Sequence, residues 1–197
     1  MKKLFVFGFL MGLLMFGCSD QSNFVEPNAQ TGNSIVSSNP QGLRLIQLPE
    51  MKNGLLFKLI PVSKNIKGSE GGEIKFEFEN NNGPFGEFSI NANLTVPKGA
   101  FDESKTLTFT MILDDKSAVV EFGPSPMNFN ETLKFDLEYR GIDLGGIDVS
   151  KVKFVYMADN GSIQQIQSDG IDVNVKDHSL KVKNAKLNHF SRFGFVL

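Results

Sequence analysis

From Glu73 onward, apolar and polar residues alternate along the chain with a period of two. Ile74, Phe76 and Phe78 fall on one side, with Glu73, Lys75, Glu77 and Glu79 on the other. Phe88, Ile90, Ala92, Leu94 and Val96 oppose Glu87, Ser89, Asn91, Asn93 and Thr95 without a break. The same pattern sets Leu107, Phe109, Met111 and Leu113 against Thr106, Thr108 and Thr110, and Leu133, Phe135, Leu137 and Tyr139 against Thr132, Lys134, Asp136 and Glu138. Successive side chains on a strand point to opposite faces, so this alternation predicts strands with one buried and one wet face. Shorter apolar runs precede them at 43–48 and 55–60, separated by Pro49 and Asn53-Gly54. After the 141–146 turn region come Val152-Lys153-Phe154-Val155-Tyr156, a hairpin through Asp159-Asn160-Gly161, and a strand over 163–167. Ile171-Asp172-Val173-Asn174-Val175 and Leu180-Lys181-Val182 flank a turn at Asp177-His178, and a closing strand is predicted over 190–197. No stretch sustains a 3.6-residue period. The predicted fold is all-β: a single antiparallel β-sandwich over residues 43–197.

The N-terminus follows different rules. Met1-Lys2-Lys3 is a positive start, and the uncharged apolar run from Leu4 to Phe16 is too short for a spanning helix, which needs about 20 residues. The run ends in Leu14-Met15-Phe16-Gly17-Cys18, which holds the only cysteine of the chain. This resembles the bacterial lipobox, although Met15 and Phe16 stand where Leu and a small residue are commoner. The resemblance implies that residues 1–17 are a signal peptide and that Cys18 becomes the lipidated N-terminus. A lone cysteine has no internal disulfide partner, which favours the same reading. Acyl chains on Cys18, at about 0.8 kcal/mol per buried methylene, would anchor the protein stably. Residues 18–42 are rich in Ser, Asn, Gln, Gly and Pro and cannot bury enough apolar surface to offset ordering entropy, so a disordered tether is expected. Ser19 follows the cysteine where an Asp would signal inner-membrane retention in enterobacteria. The expected location is therefore the cell envelope, at the outer membrane if the source is Gram-negative.

Composition excludes more than it assigns. The formal net charge is −2, and Lys2 and Lys3 would leave with the signal peptide. No basic stripe exists to neutralise phosphates, so nucleic acid is not an expected partner. Lys181, Lys183 and Lys186 are the closest basic group, and they read as a solvated strand face. Nineteen Phe stand against two Tyr and no Trp. Phe fills a core without needing a buried hydrogen-bond partner, while the Lys and Asn bias is read as codon composition in an AT-rich genome.

Four landmarks carry a family resemblance. They are Gly71-Gly72 opening a strand, Val96-Pro97-Lys98-Gly99-Ala100-Phe101 ending one, Phe122-Gly123-Pro124 followed by Phe129, and His189-Phe190-Ser191-Arg192-Phe193. In order and spacing they resemble the ZU-type β-sandwich of zonula-occludens proteins, netrin receptors and ankyrins, a domain also found in bacterial surface proteins. The resemblance covers about residues 70–197 and implies a protein-interaction module. In some eukaryotic relatives a His-Phe-Ser triplet marks self-cleavage, which would place the cut between Phe190 and Ser191 with His189 assisting proton transfer. The plainer reading makes Phe190 and Phe193 core residues of the closing strand.

Other chemistry is sparse. Two His and no second Cys give no zinc ligand set. Asp143, Asp148, Asp159, Asp169, Asp172 and Asp177 lie in or near predicted turns, outside any Asp-x-Asp-x-Asp-Gly calcium loop, and read as backbone-shaping turn residues. Three N-glycosylation sequons, at Asn93, Asn130 and Asn160, are ordinary in an Asn-rich chain. No phosphate-cradling Gly loop or Gly-x-Ser-x-Gly elbow occurs, and no cofactor is implied. The expected function is a non-catalytic, membrane-anchored module that binds or spaces an envelope protein or glycan. The alternatives are a self-cleaving domain or a carbohydrate-active enzyme with two acids across a cleft.

Overall fold

The computed structural model describes residues 43–50, 61–114 and 116–197. The expected signal peptide over 1–17, Cys18, the expected tether over 18–42 and the apolar run 55–60 lie outside the described residues. The body is an all-β sandwich of two antiparallel sheets. Among the described residues eleven strands form it: β1 (Pro61–Lys67), β2 (Gly72–Gly83), β3 (Gly86–Val96), β4 (Thr106–Leu113), β5 (Val119–Gly123), β6 (Met127–Arg140), β7 (Lys153–Met157), β8 (Ile163–Gln165), β9 (Gly170–Asn174), β10 (Ser179–Phe190) and β11 (Arg192–Val196). One sheet has the order β1-β4-β5-β11-β7-β8 and the other β2-β3-β6-β10-β9. The chain changes sheet after β1, β3, β5, β6, β8 and β10. Neither sheet can therefore be completed without the other.

The alternation places the core as the sequence predicts. Ile74 and Phe76 from β2, Phe88 to Val96 from β3, and Leu133 to Tyr139 from β6 turn their apolar sets inward. They meet Phe109 and Met111 from β4, Phe154 from β7, and Phe193 and Phe195 from β11. The Leu43–Leu48 segment is bonded to both the chain end and the β5 approach. Ile46 N–H donates to Phe195 O (3.1 Å) and Ala118 N–H to Ile46 O (2.7 Å). It too alternates: Ile46 and Leu48 enter the main core, while Leu43 and Leu45 join Val119, Val155, Met157 and Val196 in a smaller cluster on the other face of the sheet.

Three features depart from the sequence expectation, each for a local reason. β1 carries only Val62 and Ile66 as apolar residues and is an exposed edge strand, so it has almost no pattern to read. β5 is buried on both faces, with Val119 in the smaller cluster and Val120 in the main core, which replaces alternation with a short apolar run. β10 continues from the predicted 180–182 stretch as far as Phe190, because a bulge sets Lys183 and Asn184 against the single Asp136 of β6. A bulge inserts one residue and shifts the period by one, which conceals the continuation. Asn184 sits in the left-handed region (φ 48°), and its backbone N–H donates to Asp136 Oδ1 (3.0 Å).

Two positions test this packing. Tyr139 is fully buried, and its hydroxyl has no hydrogen-bond partner among the described residues. Burial first, with the charge of Asp114 adding, pushes that hydroxyl far above the ordinary tyrosine range. A buried unpaired hydroxyl costs about 1–3 kcal/mol. Tyr139→Phe is therefore expected to hold or raise the stability of the protein, measured by urea unfolding, where most core substitutions lower it. Gly141 has the opposite sensitivity: its φ is +73°, and an added Cβ would strike the Glu87 carbonyl oxygen. Gly141→Ala is expected to lower the unfolding midpoint, at a cost above about 1 kcal/mol in the same measurement.

Candidate functional site

The outer face of the five-stranded sheet is built by the polar half of each alternating strand. Register fixes who neighbours whom: Lys75 pairs across to Asn93, and Asn93 to Asp136; Glu77 pairs to Asn91, Asn91 to Glu138, and Glu138 to Lys181. Asn91 and Asn93 on β3 are short, whereas Lys75 and Glu77 on one side and Glu138 and Lys181 on the other are long. Short side chains between rows of long ones leave a groove of about 250 Å³ running over β3. Glu138 is held in place by two cations, with Arg140 Nη2 at 2.6 Å and Lys181 Nζ at 3.3 Å, and its side chain is only 16% exposed. Ion pairs at a surface add little stability, so their effect here is to fix the wall. At the floor, Asn93 Nδ2 donates to Thr95 Oγ1 (3.5 Å). Asn93 Oδ1 is shielded from solvent and has no partner among the described residues.

A second groove, of about 200 Å³, lies on the smaller apolar cluster of the six-stranded sheet. Leu43, Leu45, Val119, Met157, Ile163 and Val196 line it, together with Asp114, Ser117 and Arg192.

The His189-Phe190-Ser191 triplet stands where the chain passes from one sheet to the other. β10 ends at Phe190, β11 starts at Arg192, and Ser191 is the single residue between them. The Phe190 ring lies 4.9 Å from Phe109, 5.3 Å from Phe122 and 4.8 Å from Phe129, centroid to centroid. Its carbonyl accepts a hydrogen bond from Ser125 Oγ (3.1 Å), and the Ser191 carbonyl accepts one from the Phe122 N–H (3.0 Å). His189 is half-buried, edge-on to Tyr156 at 4.6 Å. The Phe190–Ser191 peptide is trans, and neither residue has positive φ. Phe190 and Phe193 are core residues, as the plainer reading expects, but only Phe193 belongs to the closing strand, since Phe190 ends β10.

Four of the turn aspartates, Asp143, Asp148, Asp169 and Asp177, are engaged by backbone or side-chain donors. Asp143 Oδ1 accepts from Gly145 N–H (2.9 Å), and Asp148 Oδ1 caps a 3-10 turn at Val149–Lys151 by accepting from Ser150 N–H and Oγ. The Ser150 hydroxyl and amide hold the Asp148 carboxyl below its ordinary range. Asp169 and Asp177 accept from the side-chain amides of Asn184 and Asn174. Cys18 lies outside the described residues.

No family model and no curated protein matches the chain. The ZU-type resemblance therefore rests on its four landmarks. Residues from three of them meet in space: Phe101 contacts Phe109, which contacts Phe129 and Phe190, and Phe190 stacks on Phe122.

The groove over β3 was not legible in the sequence, because it depends on which short residue lies beside which long one across three ladders. The triplet was legible, and its structural weight can be measured. Truncating a buried Phe typically costs about 3–5 kcal/mol. Phe190→Ala is expected to reach that range in denaturant unfolding, whereas Ser191→Ala, at a half-buried bend, should stay within about 1 kcal/mol.

Proposed function

We propose that this protein is a lipid-anchored lipoprotein of the cell envelope whose ZU-type sandwich is a non-catalytic binding module. The observation that carries the binding role is the polar groove over β3. Its side chains stand on paired strands with a packed core beneath them, and sites built on such elements are held more accurately than sites on loops. The lipobox-like 14–18 segment and the polar 18–42 tether support the anchoring. The convergence of the landmarks on one aromatic cluster supports the ZU-type assignment. In this reading acyl chains on Cys18 hold the tether in the cell envelope, at the outer membrane if the source is Gram-negative, and the sandwich reaches an envelope protein or glycan.

A second reading, self-cleavage between Phe190 and Ser191, is favoured by one contact: the Ser125 hydroxyl already donates to the Phe190 carbonyl oxygen. Ser191 Oγ would add to that carbonyl carbon, and the C–N bond would break to leave a Phe190 ester and a free Ser191 amine. Water would then hydrolyse the ester. β11 would stay embedded between β5 and β7 after the cut, so folding alone would not report it.

Intact mass of the denatured protein from its native membrane tests both readings. The expected mass is that of a chain starting at Cys18, raised by a diacylglycerol with or without a third acyl chain. An unmodified cysteine overturns the anchoring, and Cys18→Ser is expected to leave the precursor uncut. Loss of the 191–197 peptide would establish the second reading and displace the non-catalytic one.

A further inference from the structure

Among the described residues three large apolar side chains stay well exposed: Phe85 (46%), Val149 (44%) and Val175 (41%). Phe85 is in the tip of the β2–β3 hairpin, Val175 follows β9 in the turn to β10, and Val149 begins the 3-10 turn between β6 and β7. Register brings these turns to one end of the sandwich. Arg140, the last residue of β6, lies opposite Ser89 near the start of β3 and opposite Ser179, the first residue of β10. The Phe85 ring reaches past the end of β6 and stacks on His178 at 3.7 Å. The other two tips are held within their own turns. Asn174 Oδ1 accepts from the Lys176 and Asp177 N–H groups beside Val175 (3.1 Å each), and Asp148 caps the turn that begins at Val149. Side chains fixed in this way lose little freedom when they dock.

The body begins at the same end. Arg44 and Leu197 exchange backbone hydrogen bonds (3.4 and 2.8 Å), Val196 pairs with Lys153 at the start of β7, and the Phe195 ring is edge-on to Tyr139, next to Arg140. The far end is formed by the turns after β3, β5 and β7, and no large apolar side chain is as exposed there among the described residues. The eleven residues of β3 separate the two ends by roughly 33 Å.

Charge does not select the partner. The three turns carry Lys151 and Lys176 against Asp143, Asp148 and Asp177, and each of these aspartates already accepts a hydrogen bond in its own turn. With no cationic excess to draw an anionic surface, the contact is apolar. The chain outside the described residues indicates what covers it. The expected tether over 18–42 joins the body at Leu43, so anchor and apolar tips lie on one side. A polar coil of about 25 residues spans roughly 25–30 Å, less than the length of the body. Such a linker keeps the tips near the anchor at an effective concentration on the order of millimolar, where a weak apolar contact is well populated.

We propose that this end of the sandwich docks on the lipid bilayer, with Phe85, Val149 and Val175 inserted at the boundary of headgroups and acyl chains. The proposal rests on the anchoring reading and adds an orientation to it: the far end of the sandwich points away from the membrane.

The chain has no Trp and one Cys, so single probes can be placed without background. Phe85→Trp and, at the far end, Lys98→Trp are each made in the full chain and reconstituted into phosphatidylcholine vesicles with brominated or plain acyl chains. Bromines quench only a nearby indole, so Phe85→Trp is expected to lose at least about half its emission in the brominated vesicles, and Lys98→Trp almost none. Val149→Asp together with Val175→Asp, in the Phe85→Trp chain, should restore emission toward the unbrominated level. All three sites are exposed, and Val175→Trp serves as the probe if Phe85→Trp does not fold. The proposal is overturned by equal quenching at both ends or by quenching that needs added phosphatidylglycerol. A blue-shifted but unquenched Phe85→Trp also overturns it, since a second copy or another protein then covers the tips. If Cys18 comes unmodified from the native membrane, the same chains are coupled through that thiol to a maleimide phospholipid and read in the same way. Quenching there defeats only the anchoring, and its absence in a lipidated chain defeats only the docking.

Discussion

Everything above the core depends on phenylalanine rings from the two sheets meeting around Phe190. Phe190 comes from β10 and Phe129 from β6, both in the five-stranded sheet, while Phe109 and Phe122 come from β4 and β5 in the other. The chain of rings continues from Phe122 to Phe135, and from there to Phe154 and Phe195. Each well-placed ring pair adds about 0.5–1.5 kcal/mol beyond its buried area. The larger effect is geometric. Because the chain passes repeatedly between the sheets, the rings can interdigitate only when the sheets are stacked in one register. The Phe-rich composition therefore has a packing role, whatever codon bias accompanies it.

This inward commitment leaves the outer face of the five-stranded sheet free for polar side chains. Ile74, Phe76, Leu94, Phe135 and Leu137 all point into the core. Their neighbours Lys75, Asn93 and Asp136 are thereby held on the opposite face, at positions set by the same ladders. A groove made this way needs no loop and no helix end. Its shape comes from side-chain length alone, so replacing Asn91 or Asn93 with a long residue would close it without disturbing the core.

The extent to which the fold could be read in advance follows from how each strand is buried. β2, β3, β4 and β6 have one wet and one dry face, and their alternation exposed them directly. β5 has two dry faces and β1 has almost none, so the period-two signal fails in both for opposite reasons. β10 fails at Asn184, where one left-handed residue slips the period and lets Asp136 take a backbone hydrogen bond. The site was harder to read than the fold for a related reason. Asn91 and Asn93 look like ordinary wet-face residues until Lys75, Asp136 and Glu138 are set beside them by register, and register is a property of pairs of strands.

Two oxygens show why position decides what an unpaired polar group can do. Tyr139 Oη and Asn93 Oδ1 are both shielded and both lack a partner among the described residues. Tyr139 is enclosed in the core, with Phe195 edge-on at 6.3 Å, where no ligand can approach. Its hydroxyl can only subtract from stability, and removing it should relieve the fold. Asn93 carries the same kind of deficit on the outer sheet face, at the floor of an open groove. The residue is only partly buried, so a rotation of its side chain can return that oxygen to water, which the packing around Tyr139 forbids. The same desolvation is a fixed cost at Tyr139 and a relievable one at Asn93.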